Sequence, residues 1–305
     1  MSFFSRPVVA RSVARLMQHG TSAGARRLTH AANQRLPEFP RHIETLDVPT
    51  SFGSTRITAY SPESSSSVLP VHVNLHGGGF VLSLTDQDDP ICRALAAQSG
   101  AVVLNVDYVV APQQPFPAPP HHVYEVLQWL VGRGSDRGWD GTRLTIGGQS
   151  AGGALAAAAA RLALERGEPT VALQVLHYPP LDLTVPASAK HSPLAKPMLR
   201  PWMGEVFDTS YVADPTDRTD RLVSPASSTD TADLTGIAPA VVIAAEDDIL
   251  RDEARRYADR LQGVGSLLEY REVSGADHGY DMKDDERARA IYSVIARHIS
   301  QATSP

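Results

Sequence analysis

The sequence predicts an α/β protein built on one mostly parallel, eight-stranded sheet flanked by helices. Three observations carry this. From about residue 42 onward, short β-rich runs alternate with helical runs, the pattern of strand–helix–strand units. Counted along the chain, the strand-like runs number eight. A chain of 305 residues, 42% hydrophobic and 20% charged, suits a single α/β domain with insertions and a large buried core.

The elements follow in order. Ile43 to Val48 and Thr55 to Tyr60 read as two opening strands, joined as a hairpin across Pro49-Thr50-Ser51-Phe52-Gly53. Ser61 to Ser67 is a polar, serine-rich loop. Val71 to Leu75 is the third strand, and Asp89 to Gln98 a helix leading to the strand Ala101 to Val106. The proline-rich stretch Pro112 to Pro120 excludes regular helix and central strand. Val123 to Val131 is helical and Arg143 to Ile146 a strand. Ala151 to Glu165 is a helix rich in alanine, the strongest helix former. Val171 to Leu176 and Val241 to Ile243 are strands, and Arg251 to Leu261 is a helix. Leu267 to Val273 is the last strand, and Glu286 to Ser300 an amphipathic closing helix.

Two regions stand outside this pattern, residues 1–40 and a stretch near 186–220, and both are candidates for a cap over an active site. The body of the domain is then 41–305. Residues 1 to 37 hold no Asp or Glu but six arginines. Such a composition suits a mitochondrial transit peptide, yet Phe3, Phe4, Val9, Val13, Leu16 and Met17 fall near helical spacing. The favoured reading is a cap helix in a cytoplasmic protein, with a mitochondrial location as the alternative. No run of about 18 apolar residues exists, so no membrane span is expected. A net charge of −6 argues against a nucleic-acid partner. The lone Cys92 has no internal partner for a disulfide and reads as a small buried apolar residue.

Gly148-Gln149-Ser150-Ala151-Gly152 lies between a strand and a helix. A strand turning sharply into a helix holds the residue at the turn in a strained conformation with its oxygen exposed, and side chains two positions either way would collide. Ser150 is therefore the candidate nucleophile. His76-Gly77-Gly78-Gly79 ends an earlier strand in three residues without side chains. Backbone N–H groups of Gly78, Gly79 and Ala151 are the expected oxyanion donors. Such a serine needs an imidazole to take its proton and a carboxylate to orient the imidazole, in the chain order Ser, acid, His. His278, in the small-residue loop Gly275-Ala276-Asp277-His278-Gly279-Tyr280, is the expected base. His177, His191 and His298 end a strand, lie in the irregular stretch and lie in the last helix. Glu246-Asp247-Asp248 closes the strand Val241 to Ala245, and spacing alone leaves Asp247 and Asp248 both open as the acid.

Taken together, these motifs resemble the hormone-sensitive-lipase-like carboxylesterases, bacterial esterase family IV within the alpha/beta hydrolase fold-3 group. The resemblance runs from about residue 70 to 280. It covers His76 to Phe80, Asp107-Tyr108 with Ala111-Pro112 and Pro115 to Ala118, Gly148 to Gly153, Ala245 to Glu253, and His278-Gly279-Tyr280. It implies an α/β-hydrolase fold, carboxylester hydrolysis without a cofactor or metal, and a cap made from the N-terminal segment plus a later insertion. The family acid stands four residues before an Asp-Glu pair, which selects Asp248. The implied partner is a small-molecule ester with a short- to medium-chain acyl or an aryl group, and Phe80 and Trp202 are expected to line its pocket. Self-association into a homodimer is left open. The chain departs from the family at Gln149, Val109, Gln113, His122 and Ile249, none of them in the expected triad. Neighbouring His121 and His122 point apart on a helix, against a metal pair. The alternatives are amide, acetyl-group or thioester hydrolysis on the same triad, and a non-catalytic small-molecule receptor of the same fold. The presence of His278 argues against the receptor.

Overall fold

The computed structural model describes residues 2–63 and 68–304. The last four residues of the expected serine-rich loop, 64–67, lie outside the described residues.

Eight strands form one sheet in the order β1-β2-β4-β3-β5-β6-β7-β8. β1 (Ile43–Thr50) and β2 (Gly53–Tyr60) pair antiparallel across the turn Ser51-Phe52. β2 also runs antiparallel to β4 (Val102–Val106). β3 (Leu69–Leu75), β4, β5 (Trp139–Gln149), β6 (Leu173–His177), β7 (Ala240–Ala245) and β8 (Leu267–Val273) are mutually parallel. The central strands β4, β6 and β7 are buried at every position. That is why they read as continuous apolar runs rather than alternating ones.

Helices cover both faces. α2 (Asp89–Ser99) and α7 (Asp285–Ala302) bury Ile91, Leu95, Ile291 and Ile295 against Val103, Val175, Val241 and Ile243. On the other face α3 (Ala118–Arg133), α4 (Ala151–Arg166) and α6 (Arg251–Gly263) bury Val126, Leu127, Leu155 and Tyr257 against Val73, Ile146 and Val242. Each large apolar side chain so buried stabilises the fold by roughly 1.5–3 kcal/mol. Every residue of α4 from Ala151 to Ala163 is buried. Its alanines let the helix lie close to the sheet on one side and α3 on the other.

Some boundaries differ from expectation. α3 begins at Ala118, earlier than Val123, because Pro119 and Pro120 occupy its first turn, where no backbone N–H is needed. β5 is longer than expected and runs up to the residue before Ser150. Cys92 is fully buried in α2, and burial raises its thiol pKa well above the ordinary value.

α1 (Pro7–Asn33) is one long helix that packs against α5 (Pro201–Tyr211), within the 186–220 stretch. Ala10 and Ala14 are fully buried, and Gln18 Nε2 donates to the carbonyls of Val81 and Ala111 at 2.8 and 3.0 Å. Beyond α1 the chain is pinned by Arg93 of α2, which donates to the carbonyls of Arg35, Leu36 and Phe39. Asp89 matches that buried charge at 2.7 Å. No helix among the described residues is long and apolar enough to cross a membrane.

Candidate active site

Ser150 sits between β5 and α4 with φ 53° and ψ −121°, a conformation non-glycine residues rarely adopt. The elbow presses hard on the end of β3. A Cβ on Gly152 would lie 1.9 Å from the Leu75 carbonyl oxygen, and one on Gly148 2.4 Å from the same atom. Only glycine fits at either place.

His278 Nε2 lies 3.0 Å from Ser150 Oγ, and His278 Nδ1 lies 2.6 Å from Asp248 Oδ2. Asp248 Oδ1 also accepts the Leu250 N–H at 3.1 Å, which fixes the carboxylate. Both Asp248 and His278 are buried. Burial opposes the imidazolium form of His278, but the charge and hydrogen bond of Asp248 outweigh it and hold the pKa above the ordinary histidine value. Neighbouring Asp247 does different work through its backbone: its N–H donates to Ala276 at 2.8 Å and its carbonyl accepts Ser192 Oγ at 2.6 Å.

The loop after β3 is held from below. His76 stacks on Tyr108 with ring centres 4.2 Å apart, and the Tyr108 hydroxyl donates to the His76 carbonyl at 2.8 Å. The Gly78 carbonyl accepts from Val81 and Leu82. Among the described residues, the N–H groups of Gly78, Gly79 and Ala151 donate to no other protein group. Ala151 opens α4, where an N–H has no partner within the helix and the helix dipole is positive. Gly79 has φ 60° and faces the Phe207 ring, which a Cβ would meet at 2.3 Å.

These groups open onto a cavity of about 170 Å³ lined by Ser150, His278, Gly78, Gly79 and Phe80 and, on the far side, by Met198, Leu199, Met203 and Phe207. Residues 72–282 match the model of the alpha/beta hydrolase fold family. The chain belongs to that family. It is 34% identical to the carboxylesterase NlhH of Mycobacterium tuberculosis over 227 residues, 73% of this chain and 70% of that one. It is 31% identical to an ethyl acetate hydrolase of Pseudomonas putida over 245 residues, 79% of this chain and 76% of the relative. The solved structure of EstE1, a thermostable carboxylesterase cloned from a metagenomic library, superposes with a TM-score of 0.85 at 31% identity, covering 97% of this chain and 98% of that one. The hydrolase is an enzyme of the carboxylesterase group.

In this alpha/beta hydrolase, Gln149 Nε2 donates to Asp281, which also accepts the hydroxyls of Tyr178 at 2.7 Å and Tyr292 at 2.8 Å. The Tyr178 ring meets His278 edge-on at 4.8 Å. Asp277 caps the His278 N–H and accepts the Met198 N–H at 2.7 Å, tying the segment before α5 to the histidine loop. Sequence reading missed Tyr178, Asp277 and Asp281; the last two flank His278, which was the available signal.

Trp202 requires a correction. It is not among the cavity-lining residues; it is 38% exposed and packs on Phe4 at 5.6 Å. The helical period of α5 turns Met203, Gly204, Phe207 and Asp208 inward and leaves Trp202 outward. Elsewhere, His177 is buried against the Tyr280 hydroxyl at 2.9 Å, and His122 against Thr55 Oγ1 and the Val109 N–H. Among the described residues no group of three or more His, Cys, Asp or Glu is placed to hold a metal.

Proposed function

We propose that the hydrolase cleaves short- to medium-chain carboxylesters through an acyl-enzyme on Ser150. The observation that carries this is the continuous chain from Asp248 through His278 to Ser150 Oγ, with contacts of 2.6 and 3.0 Å. His278 Nε2 takes the Ser150 proton as Oγ attacks the ester carbonyl. Asp248 accepts the hydrogen bond from His278 Nδ1–H and stabilises the imidazolium. The N–H groups of Gly78, Gly79 and Ala151 receive the oxyanion. His278 then gives its proton to the leaving alcohol, and water, deprotonated by the same imidazole, releases the acid.

The cavity's size favours small acyl groups, since about 170 Å³ is below the roughly 300–1,000 Å³ of drug-sized sites. The activity named for the Pseudomonas putida relative, ethyl acetate hydrolysis, points the same way. We read α1 and the 186–220 insertion as a cap, since both wall or buttress the cavity, and the site of action as cytoplasmic, in keeping with the single buried Cys92.

The test is turnover of p-nitrophenyl acyl esters of rising chain length, beside the matched anilides and thioesters. Short and medium esters are expected to be fastest. Faster cleavage of anilide or thioester would replace this reading with an amidase or thioesterase.

A further inference from the structure

The α5 wall of the cavity holds an acid with no hydrogen-bond partner of its own. Asp208 is 7% exposed and lines the cavity beside Gly204 and Phe207. Among the described residues, its carboxylate accepts no hydrogen bond. Among the described residues, Glu205, one turn earlier on α5, is also buried without a hydrogen bond, but it does not line the cavity. Asp88, the other acid lining the cavity, accepts Asn74 Nδ2 at 2.8 Å. Behind the wall, Glu253 holds Lys190 Nζ at 2.6 Å and the Leu181 N–H at 2.8 Å, and Asp182 holds Arg256 at 2.8 Å.

Asp208 is only partly compensated at longer range. Burial pushes its carboxyl pKa up, Lys190 and Arg218 pull it down, and Glu205 raises it again. Lys190 also lines the cavity but is committed to Glu253. Two carboxylates thus share one ammonium. A carboxylate turned out of bulk water and given no protein donor is stabilised by a donor that reaches it through the cavity. A substrate group entering the cavity would supply that donor.

We propose that Asp208 is a specificity-determining residue that accepts a hydrogen bond from a hydroxyl or amino group on the substrate, so that the preferred esters carry such a donor on their acyl or alcohol half. This rests on the carboxylesterase reading. A plain alkyl chain leaves the acceptor both dry and unpaired, the situation in which a polar site rejects an analogue most strongly. The residue acts on binding and on the choice between substrates, not on the proton transfers at Ser150.

The experiment compares kcat/KM for matched pairs: p-nitrophenyl alkanoates against their ω-hydroxy forms, and alkyl acetates against ω-hydroxyalkyl acetates. Wild type, Asp208→Asn and Asp208→Leu are assayed, with an ω-carboxy ester added to each series. In at least one pair the wild type is expected to favour the hydroxylated ester by about tenfold or more, the worth of one hydrogen bond to a charged group. Asp208→Leu loses that preference and gains on the plain ester; Asp208→Asn, which keeps an acceptor of similar shape, retains part of it. Three results overturn the proposal: no hydroxyl preference in the wild type, the same ratio in Asp208→Leu in both pairs, or a wild-type preference for the carboxylate, which would point to Lys190. If Asp208→Leu fails to fold, the wild-type and Asp208→Asn ratios still decide. Turnover of p-nitrophenyl acetate by the wild type, lost in Ser150→Ala, reports separately on the ester reading.

Discussion

The floor of the cavity and its α5 wall are built in different ways. The floor is made of turns at the ends of parallel strands. Ser150 follows β5, the glycine loop follows β3, Asp248 follows β7 and His278 follows β8. Each group is placed by its own few residues of backbone: a strained φ at Ser150 and a glycine that nothing else can replace at 148 or 152. The wall is α5 with the Met198-Leu199 segment before it, backed from outside by α1 from far earlier in the chain. Its links to the floor are scattered polar contacts between distant segments, among them Ser192 to the Asp247 carbonyl, the Met198 N–H to Asp277 and Gln18 to the Val81 and Ala111 carbonyls. The difference implies that the floor decides whether bonds break, and the wall decides which substrate is taken.

That division can be broken by substitution. The largest effect is expected for Ser150→Ala, a loss of roughly 10⁶-fold in kcat with little change in melting temperature. Asp248→Asn follows at roughly 10⁴-fold, because His278 loses its orienting partner. The same variant carries a pH signature. Protonated His278 cannot accept the serine proton, so wild-type kcat/KM falls as pH drops through the His278 pKa, which Asp248 holds above the ordinary value of about 6.5. Removing the Asp248 charge moves that acid limb to lower pH, and a pH–rate profile of both proteins checks it. Gly79→Ala is expected to cost roughly 100- to 1000-fold in kcat: its Cβ would meet the Phe207 ring at 2.3 Å and displace the Gly79 N–H, a proposed oxyanion donor. Trp202→Ala is expected to be smallest, leaving kcat/KM within about threefold, under 1 kcal/mol of barrier. A large kcat loss in this last variant would erase the distinction between floor and wall.

The same contrast explains what was legible in the sequence. Alternating runs gave the sheet, and the residues around Ser150, Gly78 and His278 were readable because short-range backbone chemistry demands glycine and small residues there. Spacing did not separate Asp248 from its neighbour Asp247, because the direction in which each side chain points depends on the turn between β7 and α6; only the family resemblance singled out Asp248. Trp202 was misplaced for a related reason. Its face of α5 is set by packing against Phe4, almost 200 residues earlier in the chain. The Asp281 network joins Gln149, Tyr178 and Tyr292 from three separate elements, and no local pattern marks it.

In the proposed mechanism Ser150 Oγ is the attacking atom. A fluorophosphonate, which reacts with an activated serine as an ester does, tests it directly when the treated protein is weighed intact and its adduct mapped by peptide mass spectrometry. The expected result is one adduct per chain, on Ser150, absent in Ser150→Ala and strongly slowed in His278→Ala. Labelling at another residue, or equal labelling of Ser150→Ala, would contradict the account.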